Sequence, residues 1–304
     1  MAASATPGPT PVEIEGRTLA LTNLDKVLYP DAGFTKAAVI DYYLRVAPVL
    51  LPHLRRRELT MVRWPDGVTG PPFFEKRVPP HAPAWVHRAE TEPGLEQPVV
   101  DDLPTLVWVA NLAALELHTR QSTADDPDTP TSVVVDLDPG APAGVLDCAA
   151  VALALRNLLD GLGLIAVVKT SGGKGLHVGI PVAGATSDAA KAFARALGQM
   201  LQRRAPERVT IAMRKDLRPG KVFVDWSQND RHKTTVAAYS LRANPRPTVS
   251  TPVSWDEIDD ALAAGDPDAL VFEAPAVLER VARGGDLYAA NLAGGQPLPA
   301  SGDR

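Results

Sequence analysis

At 304 residues with 45% hydrophobic content, the chain is long enough to bury a sizeable core and too apolar to be disordered. A formal net charge of -5 excludes a uniformly cationic nucleic-acid coat, and the single cysteine, Cys148, excludes a disulfide framework and fits a reducing, cytoplasmic setting. No apolar run approaches a membrane span and no secretory leader opens the chain, which speaks against a membrane partner.

In chain order, residues 1–12 are rich in Ala, Pro, Ser and Thr and are expected to be a flexible tail, as are residues 295–304. One domain is expected over residues 13–294. Ala37, Ala38, Ile40, Tyr43, Leu44, Ala47 and Leu51 recur at helical spacing, so residues 35–54 predict a helix capped by Thr35 and kinked or broken at Pro48. Residues 59–64 and 73–78 predict strands around a Pro-Asp-Gly turn. The apolar stretch 105–117 predicts a buried helix.

The second half alternates. Strand 132–135 leads to helix 144–162, then strand 165–169, a glycine-rich turn and strand 176–181. Helix 188–204 follows, with strands near 209–213, 221–226 and 234–240, and helices 255–264 and 276–283 close the chain. With no repeat and no long linker, this order predicts a single α/β unit carrying an N-terminal subdomain.

Chemistry concentrates in three segments. Val133-Val134-Val135-Asp136-Leu137-Asp138-Pro139 is an apolar strand delivering two aspartates to one face, because strand side chains alternate. Carboxylates held that close repel, and the economical resolution is a divalent cation. Thr170-Ser171-Gly172-Gly173-Lys174-Gly175-Leu176-His177 lies between two strands; its glycines let backbone N–H groups approach an anion, while Ser171, Lys174 and His177 add a hydroxyl, an ammonium and an imidazole. It is not a Walker loop, since a strand follows. Val222-Phe223-Val224-Asp225-Trp226 carries a third acid that could complete a site for two cations about 3.5 to 4 Å apart.

Cations surround that third acid. Between Gln202 and Arg246, eleven Lys and Arg residues face only Glu207, Asp216, Asp225 and Asp230. Arg218 and Arg242 suit phosphate clamping through their planar forks. Together the segments point to nucleotidyl transfer. A metal-dependent phosphatase or phosphotransferase with an aspartyl nucleophile is the alternative enzyme class, although Pro139-Gly140 stands where such enzymes carry a Gly-Thr turn. A non-catalytic DNA end-binding repair factor is the alternative outside enzymes.

The ordered motifs LTNLDKVLYP, DYY, RWPDGV, FFEK, ALELH, VVVDLDP, TSGGKGLHV, KVFVDWSQND and AAYSLRA resemble the polymerase domain of bacterial ligase D, within the archaeo-eukaryotic primase superfamily, and especially its stand-alone mycobacterial Prim-PolC branch. The resemblance covers about Leu19 to Leu287. It implies a primase-polymerase fold: an N-terminal α/β subdomain packed on an RNA-recognition-like catalytic module with antiparallel sheets.

By position, the resemblance implies metal ligation and catalysis by Asp136, Asp138 and Asp225. Nucleotide contacts fall on His118, Ser171, Lys174, His177, Arg218, Gln228 and Arg242. A pocket for a downstream 5′-phosphate falls on Asn23, Lys26 and Lys36. Template-base stacking falls on Phe73 and Phe74, which as strand neighbours point to opposite faces, so at most one need be core. Implied too are two manganese ions, with magnesium possible; ribonucleoside triphosphates preferred over deoxynucleotides; and gapped or broken duplex DNA as substrate. A separate DNA ligase, and Ku, are the implied partners of a monomer acting on the bacterial nucleoid. With no ligase or nuclease motif in this sequence, the chain is expected to synthesise and not to seal, in gap filling for base excision repair or end joining.

Overall fold

The computed structural model describes residues 8–299, and six α-helices and two larger sheets organise them. One sheet has six strands in the spatial order Val209–Thr210, Val222–Asp225, Ser132–Pro139, Leu176–Pro181, Val167–Thr170, Pro252–Val253. All its pairings are antiparallel except Val209–Thr210 with Val222–Asp225. The other has four antiparallel strands in the order Thr235–Val236, Ala114–Thr119, Leu59–Arg63, Phe73–Glu75.

Alternation decides how the six-stranded sheet is used. Val133, Val135 and Leu137, with Leu176, Val178 and Ile180 and with Val222 and Val224, enter one hydrophobic core. Helices α3 (Val145–Gly161), α4 (Ser187–Arg204) and α5 (Trp255–Ala264) supply the rest of it through residues such as Cys148, Leu155, Leu197 and Ile258. Each such side chain contributes roughly 1.5–3 kcal/mol on burial. A one-residue register slip would therefore drive Asp136 into apolar packing and expel Leu137, which pins the aspartates to the opposite face.

The N-terminal subdomain has its own core, in which α1 (Lys36–Leu54) and α2 (Leu103–Asn111) pack on the four-stranded sheet. Helix α6 (Ala274–Gly284) joins it through Ala274 and Val277. Buried tyrosines tie segments together: Tyr42 Oη donates to the Tyr239 carbonyl at 2.8 Å and Tyr43 Oη to the Leu115 carbonyl at 2.7 Å.

Several expectations need correction. Thr35 caps α1, accepting from Ala38 N, but the helix runs through both Pro48 and Pro52 to Leu54; with nearly all of one side buried, packing outweighs the backbone bonds that proline removes. The predicted helix over 105–117 ends at Asn111, and after Ala113, at φ 55°, the chain becomes the strand Ala114–Thr119. A continuous apolar run is compatible with either element, and pairing with Leu59–Arg63 decides it. The predicted strand 234–240 shortens to Thr235–Val236 and belongs to the four-stranded sheet.

The tails are shorter than expected. Thr10–Ile14 pairs with Arg17–Leu21 as a hairpin, and Gln296 bonds to Pro181 and Ala183 through its backbone and to Ile165 through its side chain, so residues 10–12 and 295–296 are structured. Residues 1–7 and 300–304 of the expected tails lie outside the described residues. The acidic stretch between Trp85 and Trp108 contains a second hairpin, Arg88–Glu92 with Leu95–Pro98.

Candidate active site

The face of the six-stranded sheet turned away from its helices is where the charged residues gather. Asp136 lies at its centre, directly opposite Asp225 on one neighbouring strand and His177 on the other, and Asp138 follows two residues along on the same face. Gln228 Nε2 lies 3.3 Å from Asp136 Oδ2 and 3.4 Å from Asp225 Oδ2, bridging the two carboxylates. Asp225 Oδ1 is engaged by Ser227, accepting from its N at 2.9 Å and its Oγ at 2.6 Å.

An open cleft of about 370 Å³ sits over this face. Its walls include His118, Asp136, Asp138, Ser171, Lys174, His177, Gln228 and Arg242, so residues drawn from five separated stretches of sequence converge. Asp225 is not part of that lining, and neither is Arg218. The Arg218 guanidinium instead stacks 3.5 Å over the ring of Phe223, the residue opposite Asp138, with Nη2 donating to the Met213 carbonyl at 2.7 Å.

The glycine-rich turn is tighter than its composition suggests. Gly172 has φ +70°, and a Cβ on Gly175 would lie 2.1 Å from the Leu137 carbonyl oxygen, so only glycine permits this approach to the aspartate strand. The N–H groups of Gly173 and Gly175 both donate to Ser171 Oγ, at 3.2 and 3.1 Å, rather than standing free for an anion. Lys174 is exposed at the tip.

Burial sets the charge states. Asp138 is pushed up to about 7 by desolvation and by Asp136 and Asp225, although its edge reaches solvent and Arg218 and Arg242 pull the other way. Asp136 is desolvated too, but the charges of His177 and Lys169 outweigh this and hold it below the ordinary carboxylate range. Burial pushes the His177 imidazole down, Lys169 adding to the effect and Asp136 opposing it.

Among the described residues no three His, Cys, Asp or Glu side chains are already drawn together as a metal cage. The donor chemistry nonetheless fits a divalent cation. Asp136 Oδ1 is buried without a hydrogen-bond partner, 3.3 Å from His177 Nε2, and beside it Asp138 resists ionising. A cation would satisfy the first and relieve the second.

Two residues of the site escaped the sequence reading. Glu116 lies beneath His118 and Arg242 and bonds to both. Its signal was its place two residues before His118, hence on the same strand face, and reading ALEL as helix hid it. Lys169, 3% exposed, approaches His177 Nδ1 at 3.0 Å and donates to Ser250 Oγ at 2.5 Å. A lysine inside an apolar strand was the available clue.

The second predicted region is less compact. Asn23, at φ 52°, opens a turn closed by Lys26 N donating to its carbonyl, and Lys36 N donates to the Lys26 carbonyl as α1 begins. Asn23 and Lys26 border an open depression of about 380 Å³ that Lys36 does not line. Lys26 pairs with Asp66 at 2.8 Å, while Lys36 Nζ donates to Thr22 Oγ1 at 3.1 Å. Burial, Arg63 and Lys26 push the Lys36 ammonium down to about 8. Phe73 and Phe74 are 41% and 71% exposed, so neither is core, and Arg63 lies 4.8 Å over the Phe73 ring.

Residues 35–288 match the family model for the LigD primase-polymerase domain. The chain is 43% identical over 281 residues to the multifunctional non-homologous end joining DNA repair protein LigD of Mycobacterium tuberculosis, covering 88% of this chain and 36% of that protein. It is 31% identical over 269 residues to the bifunctional LigD of Bacillus subtilis, covering 88% of this chain and 43% of that one. The solved polymerase domain of M. tuberculosis ligase D in complex with DNA superposes with a TM-score of 0.83 at 41% identity, over 91% of this chain and 99% of that one. The chain thus spans between a third and a half of these curated relatives.

Proposed function

This chain belongs to the LigD primase-polymerase domain family, a family of DNA nucleotidyltransferases, and from that membership we propose that it extends a primer 3′-OH across short gaps in duplex DNA whose far edge carries a 5′-phosphate, in repair that includes end joining. The observation that carries this reading is the in-register row Asp225, Asp136, His177, of which Asp136 and His177, with Asp138, line a cleft edged by Ser171, Lys174 and Arg242. Acids below and cations above suit a triphosphate whose leaving group is anionic.

In the proposed reaction Asp136, Asp138 and Asp225 hold the divalent ions, manganese or magnesium, which when bound supply charge neutralisation and acidify the 3′-OH. Lys174 and Arg242 neutralise the departing pyrophosphate. Ser171 and His118 position the incoming nucleotide, and His177 and Gln228 hold Asp136 in place. Arg218, whose charge already reaches Asp138, also serves the triphosphate. Asn23, Lys26 and Lys36 bind the 5′-phosphate, and an exposed Phe74 stacks on a template base. A preference for ribonucleotides, action as a monomer alongside Ku and a separate ligase, and a cytoplasmic location belong to the same proposal; no helix among the described residues is long and apolar enough to cross a membrane.

Primer extension on a short gap tests it, with and without the 5′-phosphate, with ribo- or deoxynucleotides, and with manganese or magnesium. Template-directed incorporation stimulated by the 5′-phosphate is expected. Gap binding without incorporation under every condition would favour the non-catalytic end-binding alternative.

A further inference from the structure

Glu116 is buried in the strand Ala114–Thr119, and its two carboxylate oxygens serve different partners. Oε1 accepts from Arg242 Nε at 3.0 Å and from Ala243 N at 3.1 Å, while Oε2 lies 2.9 Å from His118 Nε2. Both His118 and Arg242 line the cleft. They come from stretches more than a hundred residues apart, so this carboxylate is the shared anchor that sets their relative placement.

The anchoring continues across the cleft. Arg242 Nη1 donates to the Ser171 carbonyl at 2.9 Å, linking Glu116 on the four-stranded sheet to the glycine-rich turn of the six-stranded one. With Nε and Nη1 committed, the fork of Arg242 is fixed at two of its three nitrogens. A guanidinium held this way loses little further rotamer freedom when it meets a phosphate oxygen, whereas a free arginine side chain loses most of its own.

We propose that Glu116 is a positioning residue that holds His118 and Arg242 in the orientation that receives the incoming nucleoside triphosphate, and so sets triphosphate affinity without contacting it. This rests on the nucleotide-binding reading of the cleft given above. Its consequence is specific to one substrate: the triphosphate feels the loss of Glu116 and the gapped DNA does not.

The experiment compares Glu116→Gln, Glu116→Ala, Arg242→Ala, His118→Ala and the double variant Glu116→Gln/Arg242→Ala. It reads KM for the triphosphate and kcat in primer extension, gapped-DNA affinity by fluorescence anisotropy, and thermal midpoint. Glu116→Gln keeps the shape but places an uncharged amide against His118, and a rise in KM of about 3- to 10-fold is expected, with about 10- to 100-fold for Glu116→Ala, on the scale of lost supporting contacts elsewhere. DNA affinity should stay within about 2-fold, and the double variant should fall clearly short of the sum of the two single effects, the remainder beyond Arg242→Ala alone being the share that Glu116 exerts through His118.

If Arg242→Ala raises KM but Glu116→Gln does not, or if the two effects add in full, the positioning role is wrong. A fall in thermal midpoint or active fraction at unchanged KM would show Glu116 to be structural only, and also overturns it. Should Arg242→Ala and His118→Ala both leave KM unchanged, the nucleotide reading of the cleft fails, and the positioning role with it. Glu116→Gln carries the test if Glu116→Ala does not fold.

Discussion

The two regions proposed to bind anions are built on opposite principles. In the cleft the charges are embedded and mutually engaged: Asp136 and Asp225 share Gln228, His177 lies between Asp136 and Lys169, and Arg242 is fixed by Glu116 and Ser171. Around Asn23, Lys26 and Lys36 the groups sit on a turn and a helix start, with Lys26 in a pair with Asp66 that is open to water. Exposed pairs of that kind contribute about 0–1 kcal/mol and exchange easily for a better anion. Buried networks on paired strands do not rearrange at that cost. The cleft network is thus held in one arrangement, while the Lys26–Asp66 pair at the turn can open at little cost.

The sharpest way to break this contrast is to remove a carboxylate from the sheet. Asp138→Ala or Asp225→Ala should reduce incorporation by about 10²- to 10³-fold or more, the scale of losing one group that stabilises reacting charge, while gapped-DNA affinity stays within about 2-fold. Single-turnover extension beside an anisotropy titration checks both halves. Near-normal extension by either variant would remove the sheet from the chemistry.

In the turn, Lys26→Ala combined with Lys36→Ala should cost about 10- to 100-fold of the affinity advantage that a 5′-phosphate gives over a 5′-hydroxyl, by loss of charge-assisted contacts. Binding of the 5′-hydroxyl gap should barely change. An unaltered ratio would reject this pocket.

Lys169→Met probes the cleft more gently, because it keeps the stem and deletes the ammonium beside His177 and Ser250. The expected loss is about 1–3 kcal/mol of stability from the orphaned partners, read as a lowered denaturation midpoint, with a smaller fall in kcat. A variant of full stability would mean that the buried amine holds neither partner.

The smallest expected effect is a pH dependence of the turn. Burial and the neighbouring cations push Lys36 down to about 8 in the folded state, below the ordinary lysine value of 10.5, so the folded state binds fewer protons than the unfolded chain between those values. The cost of burying the charge is present in full below about pH 8 and is relieved as pH rises toward 10.5, so this group makes the protein more stable with rising pH in that window. Phosphate binding needs the charged form. The 5′-phosphate advantage should therefore hold up to about pH 7, drop by about half near pH 8 and then fall by up to about tenfold per pH unit, a decline that Lys36→Arg should abolish. A flat ratio to pH 9.5 would show that Lys36 does not meet the phosphate.

Legibility differed between these regions for a physical reason. The Asp136 strand, the strand 176–181 and helices α3, α4 and α5 fall within a few residues of the sequence reading, because each has one apolar face and one polar face at a single clear period. Residues 114–119 did not, since their apolar run fits helix and strand alike, and Glu116 was lost with them. Arg218 was legible as a cation but not as one stacked on Phe223.

By itself the sequence determined which residues carry charge into apolar elements, and therefore that Asp136 and Asp138 share a face: alternation along a strand is local and needs no partner. Only the tertiary structure decided which residues stand opposite them. That Asp225 and His177 flank Asp136 follows from the register between strands distant in sequence, that Lys169 stands opposite His177 from the register of two neighbouring strands, and that Glu116 reaches Arg242 from the packing of a distant loop on its strand. Register is set by the burial of whole faces against α3, α4 and α5, a property of the assembled sheet that no single segment contains.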